Sequence, residues 1–196
     1  CGASPTEPVA PATDEVRSDK PFDPNRASVS TEALSSLWHR QLLAALDVYG
    51  AIAGDNALTK NFAYSPTSVS IALAMTSAGA SGEALAQITS TLGFPAQAEL
   101  HDLMAVSTGS LLDLNHDTQE DPINGVIDAQ VVNVVNSLWP QEGLPLQAPF
   151  LDEMSASYDT GVYPVDYVGA TEDARLAING WVNDETQAKI SELIPD

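Results

Sequence analysis

Apolar side chains recur at helical spacing from the beginning of the foldable part of the chain. After Ser30, a residue type that caps helices, Leu34, Leu37 and Leu42 lie on one stripe that ends near Gly54. Residues three to four positions apart share one face of a helix. The pattern therefore predicts an amphipathic helix between Ser30 and Gly54.

The next stretch, Asn61–Phe94, predicts a short aromatic strand, 62–64, followed by two helices. Ser65 suits the N-cap of the first helix, and Pro66 suits its first turn, where a missing N–H costs nothing. The segment Val69–Met75 carries no charge, and a helix that is apolar on all faces belongs in a core. Gly79 ends this helix. Ser81 is the predicted cap of the next one, with Leu85, Ile88 and Leu92 on its buried stripe.

The same spacing predicts helices near residues 100–114, 149–158 and 171–182. The strongest strand signal is Val126–Trp139, whose β-branched residues are typical of the middle of a sheet. Val162–Tyr167 is predicted to be an edge strand, because Pro164 cannot donate to a central ladder. We expect the Val69–Met75 helix and a helix containing Trp181 to flank one sheet.

Charge and composition limit the possible partners. The 196 residues include 27 acidic and seven basic side chains, a formal charge of -20. This excess disfavours nucleic acid, heparin-like polyanions and acidic lipid surfaces as partners. Residues 1–28 contain five prolines and few apolar side chains, which predicts a disordered tether, and residues 29–196 form the predicted domain.

No catalytic, cofactor or metal constellation is visible in the sequence. His39, His101 and His116 are scattered without ligand spacing, so we expect neither an enzyme nor a bound cofactor. Asp113–Gly125 partly matches a calcium loop, but Thr118 replaces its glycine and Asn124 its final glutamate. A solvated acidic loop is therefore the favoured interpretation, and no metal site is predicted.

Two separate motifs resemble the serpin family. The first comprises Asn61, Phe62, Ser65, Pro66, Ser68, Ala72–Met75, Gly79, Ala80, Gly82, Gln87 and Leu92–Phe94. The second comprises Ile178–Val182, Thr186–Ile190 and Leu193–Pro195, and Val135–Trp139 resembles a strand of the family's central sheet. One departure is Ala188, where the family usually has glycine. The resemblance covers about residues 31–196 in family order.

The resemblance implies an α+β fold, the N-terminal half of a serpin, with helices around a large central β-sheet that is incomplete in this chain. It places Asn61, Phe62, Ser65, Pro66 and Ser68 in the shutter-like region beneath the sheet. It places Asn179, Trp181, Thr186 and Lys189 on the helix that covers the sheet.

By the same resemblance, the protein is part of a suicide-substrate inhibitor of serine or cysteine proteases that acts by inserting its reactive loop into the sheet. The loop and its reactive bond are not in this chain and belong to the missing C-terminal half. We therefore expect residues 1–196 alone to be non-inhibitory and to be a natural or cropped fragment.

The lone cysteine, Cys1, excludes an intrachain disulfide. Cys1 and the residues after it resemble a mature bacterial lipoprotein, which implies lipid attachment, membrane contact only through that anchor, and a secreted or cell-envelope location. The alternative is a fragment that happens to begin at cysteine. Two rival functions stay open, a non-inhibitory serpin-like surface lipoprotein and an unrelated acidic lipoprotein that binds a small ligand or cation.

Overall fold

The structure, a computed structural model, describes residues 13–26, 28–56, 64–121 and 125–195. Its elements are α1 (Thr31–Asn56), α2 (Pro66–Ala78), α3 (Gly82–Leu92), α4 (Gln97–Leu112), β1 (Gln119–Asp121), β2 (Gly125–Ile127), α5 (Ala148–Tyr158) and α6 (Thr171–Glu185). The chain forms two compact units, which are described separately. The larger unit contains Arg17–Ser137 and Gln147–Gly161, and the smaller contains the described residues up to Val16, Leu138–Leu146 and the described residues from Val162 onward.

Serine side chains begin two of the helices as predicted. The Ser30 hydroxyl accepts from the Ala33 N–H at 3.1 Å, and the Ser65 hydroxyl accepts from the Ser68 N–H at 3.2 Å. Each bond satisfies one of the N–H groups left free at a helix N-terminus. Ser81 occupies the N-cap of α3, but its side chain makes no capping hydrogen bond, which corrects the prediction for that residue.

The core of the larger unit is built around α2. This helix packs against α1, α3, α4 and α5, as its lack of charge predicts. Burial of a large apolar side chain contributes about 1.5–3 kcal/mol, so a few such residues dominate the core. The largest fully buried side chains of this core are Leu37, Met75, Leu100, Leu103, Met104 and Met154.

The apolar stripe of α1 is buried only near its beginning. Leu34 and Leu37 are buried, whereas Trp38, Leu42 and Tyr49 are about half exposed, at 48%, 57% and 51%. Exposed apolar side chains that form one patch usually mark a contact surface. The described residues therefore leave most of the predicted stripe of α1 uncovered.

The prediction of a continuous strand over Val126–Trp139 is wrong for the described chain. Strand β2 ends at Ile127 and pairs antiparallel with β1, and Gln130 forms an isolated bridge with His116. Residues 131–137 belong to no strand. Strand composition produces a ladder only where two main chains pair regularly, and the described residues show no such ladder at 131–137. The multi-stranded sheet expected between two flanking helices is accordingly absent from the described residues.

The smaller unit pairs three short segments. Val162 bridges Val16 antiparallel and Leu138 parallel, and Val165 bridges Gln141 parallel. Val162 is therefore paired on both sides, which corrects the predicted edge strand. The N–H groups on either side of Pro164, those of Tyr163 and Val165, donate to Leu138 and Pro140 at 2.9 and 3.0 Å. Because strand residues alternate sides, Pro164 faces away from that partner, and its missing donor breaks no bond.

Part of the predicted tether is bound to the larger unit. The Ser18 N–H donates to the Ser155 hydroxyl at 3.1 Å, and the Asp23 N–H donates to the Ala156 carbonyl at 3.1 Å. The main chain of this segment thus finds hydrogen-bond partners on α5, although its composition resembles a linker. The tether prediction is wrong for residues 17–26, and residues 1–12 lie outside the described ranges.

We predict that Ser65→Ala lowers the free energy of unfolding by about 1 kcal/mol, because it removes the cap of α2. Urea denaturation followed by circular dichroism measures this difference. The control is Ser81→Ala, which removes a cap-position hydroxyl that makes no such bond and should change the free energy far less. Equal losses from the two substitutions would contradict the structure at α2.

Candidate functional site

The predicted site residues fall in two places, the beginning of α2 in the larger unit and α6 in the smaller one. Asn61 and Phe62 lie outside the described residues, and so does Cys1. Their predicted roles stay predictions. The remaining residues are described in turn.

The beginning of α2 is fixed by local hydrogen bonds. Ser65 has extended backbone angles (φ -100°, ψ 105°), its hydroxyl caps Ser68, and its carbonyl accepts from the Val69 N–H at 3.1 Å. Pro66 occupies the first turn. The Tyr64 hydroxyl donates to the Ala45 carbonyl of α1, which ties the entering chain to the neighbouring helix. Ser65 thus acts as a helix cap, while its role beneath a sheet stays a prediction.

Ser77, one of the small residues near the end of α2, makes two close contacts inside the larger unit. The sequence indicated only that such small residues let neighbouring helices approach. Ser77 is fully buried, and its hydroxyl donates to the Ala74 carbonyl at 2.7 Å. The Ser77 carbonyl also accepts from the Gln97 side-chain amide at 2.6 Å. This pairing of α2 with the beginning of α4 was not predicted, because a serine and a glutamine 20 positions apart carry no contact signal in one sequence.

Asn179 is the best-connected predicted site residue of α6. It is 7% exposed, and its Oδ1 accepts from the N–H groups of Leu193 and Ile194 at 2.9 and 2.8 Å. Its Nδ2 donates to the Ile194 carbonyl at 2.8 Å. One amide side chain therefore satisfies three main-chain groups of the segment after the helix and holds that segment against α6.

Trp181 joins an aromatic cluster on the same helix. Trp139 stacks on Tyr163 with ring centroids 4.9 Å apart, and Trp181 meets Trp139 edge to face at 6.1 Å. Val165, Ala174 and Ala177 form the small apolar core beside Trp139. Such aromatic pairs contribute about 0.5–1.5 kcal/mol beyond burial, so the cluster fixes α6 on the paired segments 138–142 and 162–165.

Arg175 is a residue of this site that the sequence did not single out. Its guanidinium contacts both carboxylate oxygens of Glu172, at 2.9 and 2.7 Å, and the Ile194 carbonyl at 2.9 Å. The hydrogen bonds from Arg175 hold the pKa of Glu172 below its usual value. The signal that could have identified this pair is the spacing of three between opposite charges in a predicted helix.

Thr186 and Lys189 lie beyond α6, which ends at Glu185, and not on the helix as predicted. The Thr186 hydroxyl donates to the Val182 carbonyl at 2.7 Å and accepts from the Ile190 N–H at 3.1 Å, which stabilises the turn after the helix. Lys189 is exposed. Between them, Gln187 and Ala188 have φ of 53° and 60°, in the left-handed region that favours glycine. Ala188, where the serpin family usually has glycine, therefore has a backbone conformation that is strained for alanine.

The loop with partial calcium-site resemblance contains a hairpin instead of an irregular segment. Asn115 donates from Nδ2 to the Val132 carbonyl at 3.0 Å, and the Thr118 hydroxyl accepts from the Ala129 N–H at 3.3 Å. Among the described residues, which omit 122–124, no three His, Cys, Asp or Glu side chains lie close enough to hold a metal ion. Nor does any described helix have both the length and the apolar composition needed to cross a membrane.

Comparison with known proteins identifies the family. The sequence model described as serpin (serine protease inhibitor) matches residues 41–196, most of the chain. The chain belongs to the serpin family. It is 33% identical over 149 residues to the leukocyte elastase inhibitor of Xenopus tropicalis, covering 76% of this chain and 36% of that protein. It is 30% identical over 156 residues to an uncharacterized serpin-like protein of Methanosarcina acetivorans, covering 78% and 34%.

Solved structures agree with this assignment. An Arabidopsis serpin in its native stressed conformation is similar with a TM-score of 0.68 at 20% identity, over 87% of this chain and 40% of that one. Human glycosylated kallistatin gives 0.67 at 25% identity, over 83% and 42%. The predicted fold class, the N-terminal portion of a serpin fold, is thus confirmed. The chain spans about a third of the length of the two sequence relatives named above.

We predict that Asn179→Ala lowers the free energy of unfolding of the smaller unit by about 1–3 kcal/mol, because it leaves main-chain groups of residues 193 and 194 unpaired. Hydrogen exchange of the Leu193 and Ile194 amides should increase. The control is Asn183→Ala on the same helix, whose side chain bonds an exposed carboxylate, Asp184. Similar exchange in both variants would contradict the assigned role of Asn179.

At the end of α6, we predict that Ala188→Gly raises the free energy of unfolding by about 1 kcal/mol, because glycine adopts the left-handed conformation without strain. Urea denaturation followed by circular dichroism measures this difference. The control Ala51→Gly, at an exposed site inside α1, should lower the free energy of unfolding by about 1 kcal/mol. A loss at both sites would show that Ala188 is not in the left-handed region in solution.

Proposed function

We propose that this chain is part of a serpin that inhibits a protease as a suicide substrate, and that it is not itself an enzyme. The observation that carries the proposal is the family match over residues 41–196, because the family is described as serine protease inhibitor. The protease target is a serine protease or, as the alternative that the sequence left open, a cysteine protease. An elastase-type serine protease is a reasonable first candidate, since a relative at 33% identity is named a leukocyte elastase inhibitor.

Features of the described residues are compatible with this mechanism. Residues 131–137 have strand composition but belong to no ladder, and Val131 is 75% exposed. A segment of strand composition that is part of no ladder is compatible with a sheet completed by other strands of a larger domain, as the strand insertion of serpins requires. The half-exposed leucines of α1, Leu42, Leu43 and Leu46, fit a larger domain that supplies further packing.

Two finer parts of the proposal depend on the sequence alone. The reactive loop belongs, by resemblance, outside residues 1–196, so we expect this stretch by itself to be non-inhibitory. Lipid attachment at Cys1 and a cell-envelope location are a separate proposal, supported by the lipoprotein-like residues around Cys1.

The test is incubation of the full-length protein with a panel of serine and cysteine proteases that includes an elastase. We expect a one-to-one complex that resists SDS, because the inhibited protease stays attached as an acyl-enzyme. The matched control is the same protease with its nucleophile replaced by alanine, which should give no covalent complex. Cleavage of the protein without any complex, across the whole panel, would favour the non-inhibitory serpin-like alternative.

A further inference from the structure

The segment before α1 contains a large share of the basic residues of the chain. Three of the seven basic residues of this acidic chain, Arg17, Lys20 and Arg26, lie in it. We name residues 17–26 and 28 the N-terminal strap. At one end of the strap, Arg17 pairs with Asp159 at 3.1 Å, and at the other end the Ser28 hydroxyl donates to the Asp102 carboxylate at 3.2 Å.

Arg26 is the most deeply bound basic residue of the strap. Its guanidinium forms an ion pair with Asp102 of α4 and donates to the Ala156 carbonyl and the Ser157 hydroxyl of α5, both at 2.8 Å. Only 17% of its side chain is exposed. The Ser157 hydroxyl in turn donates to the Glu153 carboxylate. A planar guanidinium with several donors matches this set of acceptors, which we name the socket of α4 and α5.

His101 lies beside this socket on α4 and is 5% exposed. Its Nδ1 is 2.6 Å from the Tyr158 hydroxyl of α5, while its buried Nε2 has no hydrogen-bond partner among the described residues. A protonated imidazole has an N–H at both nitrogens. The protonated form therefore buries a charge and, in either starting tautomer, has an N–H at Nε2 that no described group accepts.

The charged groups that face His101 come from three elements: Arg26 from the strap, Asp102 from α4 and Glu153 from α5. Burial lowers the pKa of His101 below its ordinary value of 6.5, Glu153 and Asp102 oppose this, and Arg26 adds to it. Burial also raises the pKa of the Tyr158 phenol, so the phenol keeps its proton. At pH 7.5 and above, the imidazole is accordingly neutral when the strap is bound.

We propose that the N-terminal strap is a pH-sensitive element, which stays bound through Arg26 in the socket while His101 is neutral and is released when His101 takes up a proton. The coupling is reciprocal: because the charge of Arg26 opposes a proton on His101, that proton opposes the binding of Arg26 by the same free energy. The bound strap occupies the acceptors of the socket, and its release would leave them open to water. This inference does not depend on protease inhibition.

The direction of the pH dependence follows from the lowered pKa of His101. The state with the strap bound holds fewer protons than the released state, so binding is favoured above about pH 6.5 and weakens as the pH falls below it. A single proton can change the binding equilibrium by at most about tenfold per pH unit.

The experiment follows a nitroxide spin label on Lys20→Cys in a cysteine-free background of the full-length chain, by electron paramagnetic resonance from pH 8 to pH 5. We expect an immobilised spectrum at pH 8 and a growing mobile component below about pH 6.5.

The variant His101→Gln should lose this transition. The control His39→Gln removes an exposed histidine of the same unit and should keep the transition. Circular dichroism verifies that each variant retains its helices.

Arg26→Gln tests the proposal without altering the core. It should give a mobile strap already at pH 8, because the charged anchor is gone. A parent spectrum that does not change from pH 8 to pH 5 would overturn the proposal. So would a transition that persists in His101→Gln, or a strap that stays immobile in Arg26→Gln.

Discussion

The packing of α2 inside four other helices is the constraint on which the larger unit depends. A helix without charge has no strongly hydrated face, and α1, α3, α4 and α5 cover most of it, with Val69 near its beginning left 38% exposed. Small side chains make this possible: Ser77 is fully buried, and Gly79 lies 3.5 Å from the Phe150 ring, measured from where a Cβ would stand. The Ser65 cap and Pro66 fix where this helix begins, and thereby set the entry of the chain into the core.

The smaller unit depends on main-chain pairing and on one helix. Its three paired segments contribute few hydrogen bonds, and the cluster of Trp139, Tyr163 and Trp181 attaches α6 to them. Asn179 and Arg175 then hold the segment that follows α6. The second serpin-like motif, residues 178–195, therefore coincides with contacts that organise the unit.

Two predictions, the strand over Val126–Trp139 and the free tether before α1, were wrong for one physical reason. Whether a segment pairs depends on the groups that the rest of the chain places beside it. Val126–Trp139 has the composition of a buried strand, yet most of it forms no ladder, because no second main chain among the described residues pairs with it regularly. The residues after Arg17 have the composition of a linker, yet they are bound, because α5 offers carbonyl and hydroxyl groups and α4 offers Asp102. Local composition thus predicted a strand where most of the segment forms none, and a free tether where the segment is bound.

The sequence by itself determined the helices and the family. Ser30 and Ser65 set helix starts through local hydrogen bonds, with Pro66 in the first turn of α2. The lack of charge placed α2 in the core, apolar spacing predicted the buried face of α4, and two motifs indicated a serpin. Only the tertiary structure decided that Arg26 meets Asp102 and Ser157, that His101 is buried with Nε2 unpaired, and that Asn179 binds residues 193 and 194. Caps and helical stripes depend on neighbours within a few residues, whereas these contacts join distant or irregular segments whose proximity no local pattern specifies.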